Sequence, residues 1–121
     1  AARKDSSMSF DIIILKPVQD LDEISDLSDV ETVEELGSSD DVYSHLSSFF
    51  PGCRSGLWVS DKGHALEIMD YEDNSQSLHL ALKFGPNWND SMSDEFMGTL
   101  KAICSPKRWA AFSVQDNERI V

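Results

Sequence analysis

The sequence predicts an α+β domain, a two-layer sandwich in which a mostly antiparallel sheet of about five or six strands carries two helices on one face, in the order β-α-β-β-β-α-β-β. Three observations carry this. Apolar runs with strand-like patterning alternate with two segments of helical spacing. Short turn clusters separate neighbouring strands, which joins them as hairpins. The chain of 121 residues, 40% apolar and with three Trp and six Phe, is long enough for one bulky core and too short for a second.

The first strand is FDIIIL at 10–15, bounded by Pro17. Its near-continuous apolarity belongs to a central strand with both faces covered, one of them by helices. Residues 18–37 then place Val18, Leu21, Ile24, Leu27, Val30, Val33 and Leu36 at a spacing of three that drifts around a regular α-helix. Like charges four apart, Glu31 and Glu35, further weaken helix there. An ordered or semi-ordered acidic loop is expected, with at most short helical turns or an extended segment laid across the domain, its apolar residues inward and its acids outward.

Ser38, with Asp41 three residues on, marks the start of a helix over about 39–50, with Val42, Leu46, Phe49 and Phe50 on one face and Pro51-Gly52 as its stop. Leu57 to Val59, the turn Asp61-Lys62-Gly63 and a strand over 64–71 form a hairpin. After the turn at 72–75, the strand 77–84 alternates with a period of two, Leu78, Leu80 and Leu82 against His79, Ala81 and Lys83. The loop GPNWND at 85–90 leads into a second helix over about 92–104, capped by Ser91 or Ser93, with Phe96, Leu100 and Ile103 inward and Pro106 as terminator. Residues 108–114 make the last long strand, and 117–121 turn back on it. Residues 1–7, AARKDSS, read as a cloning remnant ahead of a natural start at Met8, leaving 8–121 as a single domain with an acidic loop at 18–37.

Charge is distributed very unevenly. The net charge is −12, and ten of the 22 acidic residues lie within 20–41, where there is no Lys or Arg. The remaining 12 nearly balance the 10 basic residues. Such a field repels nucleic acid and anionic lipid and speeds encounter with basic protein surfaces. The expected partner is a basic protein surface, with no direct nucleic acid and no membrane. Two cysteines, Cys53 and Cys104, are too few for a disulfide scaffold and read as reduced thiols of a cytoplasmic protein.

Motifs for catalysis or metal are absent from the pattern. Asp20, Asp22, Asp26 and Glu31 fall at the first, third, seventh and twelfth places of a calcium loop, but Ile24 takes a ligand position and Ser25 stands where the tight turn needs Gly. His45, His64, His79 and the two cysteines show no close metal-ligand pair. His45 reads as a solvent-facing helical residue. Without a nucleophile motif, a phosphate loop or a dinucleotide fingerprint, neither catalytic residues nor a cofactor or metal is expected, and the chain does not read as an enzyme. Trp88 sits in a polar loop, where a large aromatic either folds back on the body or anchors a partner.

The segments MSFDIIILKP at 8–17, ELGSSDDVYSHLSSFFPG at 35–52, GLWVSD at 56–61, SLHLAL at 77–82 and CSPKRWAAFSVQDNERI at 104–120 together resemble a family of small, acidic, largely uncharacterised bacterial proteins. Its members likewise begin with a short strand ending in Pro and place Leu-Gly-Ser before a helix that ends in Phe-Pro-Gly. They also have one Trp-containing strand in mid-chain and another near the end. This chain departs from the pattern in its thin link between Pro51-Gly52 and Trp58 and in GPNWNDSMSD before the second helix. The resemblance implies an immunity protein, a cytoplasmic antidote that occludes a secreted or contact-delivered toxin, and it brings no catalytic residues. The expected function is therefore stoichiometric inhibition of a toxic effector. The expected contacts are Asp22, Glu23, Asp26, Asp29, Glu31, Glu34 and Glu35, with Trp88 as an apolar anchor. The alternative is an intracellular adaptor whose acids serve solubility and whose partner is no toxin.

Overall fold

The computed structural model describes residues 9–61, 63–69, 72, 75–85 and 88–121. The remnant expected over 1–7 and the turn residues Lys62, Asp73 and Asn74 lie outside that set.

The domain is α+β, and its described residues form an antiparallel sheet of seven strands with two helices packed on one face. Strand β1 (Ser9–Pro17) lies at its centre, between β5 (Ser77–Lys83) and β6 (Ala110–Ser113). The order runs β3-β4-β5-β1-β6-β7, with β3 (Leu57–Val59), β4 (Ala65–Met69) and β7 (Glu118–Arg119) completing it. One strand is unanticipated by the sequence pattern. The two-residue β2 (Val33–Glu34) returns to pair with Lys16 and Pro17 at the end of β1. All pairings among the described residues are antiparallel, so the helical crossovers create no parallel neighbours there.

Helix α1 (Ser39–Ser47) begins where the sequence says it should, with Ser38 Oγ accepting from the Asp41 amide at 3.2 Å. It ends earlier than expected, because the bond Phe49 N to Leu46 O tightens the chain and the bond Cys53 N to Phe50 O closes a turn through Gly52, whose φ of 87° reverses its direction. Helix α2 (Asp90–Cys104) starts before either serine proposed as its cap. Asn89 takes that role, its side-chain oxygen accepting from Met92 N at 3.0 Å, and Ser91 and Ser93 fall inside the first turn. That earlier start adds Asp90 and Ser91 to the helix, and Met92 lies on its buried side.

Pleat alternation divides the sheet. Ile12 and Ile14 of β1, Leu66 and Ile68 of β4, and Leu78, Leu80 and Leu82 of β5 meet Val42, Leu46 and Phe50 from the α1 side and Phe96, Leu100 and Ile103 of α2. Each such fully buried side chain contributes about 1.5–3 kcal/mol. The other face is smaller. Ile13 and Leu15 of β1 join Ala110 and Phe112 of β6 beneath Ile24, with Leu21, Leu27 and Val30 packed around them. The acidic segment is therefore the second cover of the central strand, and FDIIIL is apolar on both faces because both are covered. On the β3 side of this face Leu57 and Val59 stay exposed.

Candidate functional site

The acidic segment leaves the sheet at Pro17, crosses β6, reaches the rim at β7 and returns to β1 through β2. Its ends are joined by Val18 N to Thr32 O at 3.0 Å, so residues 18–32 form an Ω-loop over the sheet. Two short 3₁₀ turns give it shape, Leu21–Glu23 and Leu27–Asp29. Each is started by an aspartate: Asp20 Oδ1 accepts from Asp22 N at 3.1 Å, and Asp26 Oδ1 accepts from Ser28 N at 2.9 Å. Sequence spacing of three thus becomes helical turns with three residues per turn, as i→i+3 geometry requires.

Two side chains from outside the turns fix the loop. Arg119 of β7 donates through its guanidinium to Leu21 O and to Ile24 O, the latter at 3.1 Å, and its backbone amide donates to Ser25 O at 2.9 Å. Gln19 holds the returning limb in the manner of a strand neighbour, donating from Nε2 to Asp29 O and accepting at Oε1 from Glu31 N. Ile24 is the apolar peg, 3% exposed. The contact of Ser25 and Asp26 with β7 also covers that edge of the sheet, which would otherwise offer free strand hydrogen bonds.

The seven acids named from the sequence fall into two groups. Asp22, Glu23, Glu31, Glu34 and Glu35 are exposed, and among the described residues none is ion-paired with Lys or Arg. Asp26 and Asp29 are half-buried and shape the second turn. Asp29 Oδ2 accepts from Ser25 N and Ser25 Oγ, both at 2.8 Å, and from Asp26 N at 3.3 Å. The Ser25 amide and hydroxyl, and then the Asp26 amide, hold the Asp29 carboxyl below the usual carboxylate range, so it stays ionised in weak acid.

Trp88 stands on the helical side of the sheet, away from these acids. It is half-buried among His64, Phe84 and Phe96, with ring centroids at 5.0, 5.1 and 6.5 Å. The structure does not bring it to the acidic loop.

The histidines and thiols are dispersed. His45 is not solvent-facing as its sequence context suggests. Its Nε2 donates to Ile103 O at 2.8 Å, and its ring lies edge-on to Phe49 and Trp109, so it ties α1 to the end of α2. Cys53 and Cys104 are free and buried. Burial pushes the Cys104 thiol up to about 12, against a smaller opposing pull from Arg119, which leaves almost no thiolate at neutral pH. Among the described residues no three His, Cys, Asp or Glu side chains are grouped so as to hold a metal, and no helix is long and apolar enough to cross a membrane.

Sequence reasoning missed Arg119 and Gln19. Gln19 carries no signal, being one polar residue among many. Arg119 does carry one, as a lone cation in the closing NERIV, but its target lies about a hundred positions away along the chain. No family model, curated protein or solved structure matches the chain.

Proposed function

We propose that this chain is a stoichiometric protein inhibitor which acts in the cytoplasm and neutralises a toxic enzyme by docking its acidic Ω-loop on a basic surface, as immunity proteins do. One observation supports this above the rest. The loop is held by Ile24, Gln19 and Arg119 and runs on into β2 paired with β1, so Asp22, Glu23 and Glu31 of the loop and Glu34 and Glu35 beside it are presented from an ordered backbone without cationic partners among the described residues. An ordered array of like charges costs stability through mutual repulsion, and a cationic partner relieves that cost on docking. It also loses less entropy on binding than a mobile acidic tail would. Long-range attraction speeds encounter, while a few desolvated carboxylate–arginine pairs supply specificity.

The test starts from the partner captured by the whole protein from its native cells. Neutralising Asp22, Glu23, Glu31, Glu34 and Glu35 to their amides leaves the loop's own hydrogen bonds intact. The association rate with the captured protein is expected to fall at least about tenfold at low salt and to lose most of its salt dependence. The captured protein should be an enzyme whose activity is blocked at one-to-one stoichiometry. An unchanged rate and salt slope would remove the steering role of the loop. A housekeeping partner left active by the complex would replace inhibition with an adaptor role.

A further inference from the structure

On the helical side of the sheet, far from the acidic loop, the chain places a small aromatic hollow with carboxylates at its mouth. The hollow measures about 150 Å³ and lies between the end of α1, strand β3 and the first half of α2. Phe49, Phe50, Trp58 and Phe96 wall it, with His64 at one side and Glu95 at the rim. A second hollow of about 180 Å³ shares Trp58, His64 and Glu95 and adds Asp61. We propose that this paired hollow binds an organic cation, an alkylammonium head seated against the aromatic walls with Glu95 and Asp61 as its counter-charges.

The chemistry of the walls selects the ligand. Aromatic faces carry negative electrostatic potential and attract a cation placed over them, and the attraction strengthens when water is excluded. An uncharged apolar group would pack on the rings but would gain neither this attraction nor anything from the carboxylates. An anion would be repelled by both. Glu95 and Asp61 are exposed, and among the described residues neither is ion-paired with Lys or Arg. The volume suits a compact head group and falls well short of a drug-sized ligand.

The walls are also held in place. Phe50 and Trp58 have ring centroids 4.9 Å apart, Trp58 and His64 5.6 Å, and His64 and Trp88 5.0 Å, a continuous row of tilted and edge-to-face contacts. Ser60 Oγ lies 2.9 Å from His64 Nδ1. Behind this row the backbones of Gly63 and Gly85 nearly touch. A Cβ on Gly85 would fall 2.6 Å from the Gly63 carbonyl, so only glycine allows the chain entering α2 to brace the β3–β4 turn. From α2, the adjacent Glu95 and Phe96 supply the rim carboxylate and a wall in one step of the helix. The site is independent of the acidic loop, because the two lie on opposite faces of the sheet.

The ammonium head has two sources, a free quaternary amine or a lysine side chain on a protein, and separate probes distinguish them. Choline, its uncharged carbon isostere and N-acetyl-lysine methylamide are each titrated into the full chain, read by tryptophan emission and by the indole N–H resonance of Trp58. Choline or the lysine derivative should bind with a dissociation constant of about 1–10 mM, and the isostere at least about fivefold more weakly. Binding of the lysine derivative alone assigns the site to a protein side chain, and binding of choline assigns it to free amines as well. The double variant Asp61→Asn, Glu95→Gln changes two exposed side chains, so melting should be unaltered while cation binding weakens about fivefold or more. Equal binding of choline and its isostere, unchanged binding by the double variant, or no binding of either cation up to about 100 mM would each overturn the proposal.

Discussion

The two faces of the sheet are covered by different physics. On one, α1 and α2 lay down an apolar stripe against Ile12, Ile14 and the leucines of β5, and many buried contacts share the stabilisation. On the other, a loop rich in carboxylates is held over Ile13, Leu15, Ala110 and Phe112 by one buried peg, Ile24, its partly buried apolar neighbours, and hydrogen bonds from Gln19 and Arg119. The first cover is distributed and resists local change. The second is concentrated, so single substitutions should free it while leaving the rest of the fold in place.

The largest effect is expected where the distributed cover is deepest. Leu100→Ala, at a fully buried position of α2, should destabilise the whole domain by about 2–5 kcal/mol and lower the melting midpoint by roughly 10–20 °C. Denaturant melts followed by tryptophan emission and by far-ultraviolet dichroism should shift together, because this face belongs to the global unfolding unit. A smaller and local effect is expected from Arg119→Met. It strips Ile24 O of its donor and leaves Leu21 O with the Ile24 amide alone, at a cost of about 1–3 kcal/mol. Amide exchange should accelerate across residues 24–30 while the amides of β1, β5 and α2 keep their protection. Uniform acceleration through the molecule would instead mean that both faces open as one.

The contrast also explains what could be read from the sequence. Period-two alternation in 77–84 and helical spacing in 39–50 and 92–104 are local consequences of burial, so the antiparallel sheet and its helical layer were legible from them. Both faces of FDIIIL were rightly expected to be covered, because Ile12 and Ile14 alternate with Ile13 and Leu15. The identity of the second cover was half legible: Ile24, Leu27 and Val30 do pack inward, but the donors that hold the loop come from Gln19 and from distant Arg119. Strand β2 is too short to impose a pattern, since two residues define no alternation. Asn89 displaced the serines as the α2 cap because three capping residue types stand within five positions, and composition cannot rank them. His45 was misread because its acceptor, Ile103 O, belongs to a helix 58 positions away.

The smallest effect belongs to the carboxylate that shapes the second 3₁₀ turn. Asp29 accepts bonds from the Ser25 amide, the Ser25 hydroxyl and the Asp26 amide, and these lower its pKa from the usual value near 3.8. A carboxylate with a folded pKa below its unfolded one favours the folded state. Its contribution is present above the unfolded value and is lost as pH falls through the folded value, because the protonated acid accepts these bonds less well. Acidification from neutral pH to below about 4 should therefore loosen the turn at Leu27–Asp29 before the helical face responds, seen as faster exchange of the Ser25 and Asp26 amides relative to the pH trend of the α2 amides. In Asp29→Asn the same two amides should exchange faster already at neutral pH and show no acid step of their own. If the acid step survives that substitution, another carboxylate of the loop controls it, and the loop's order rests on Gln19 and Arg119 with Asp29 only a bystander.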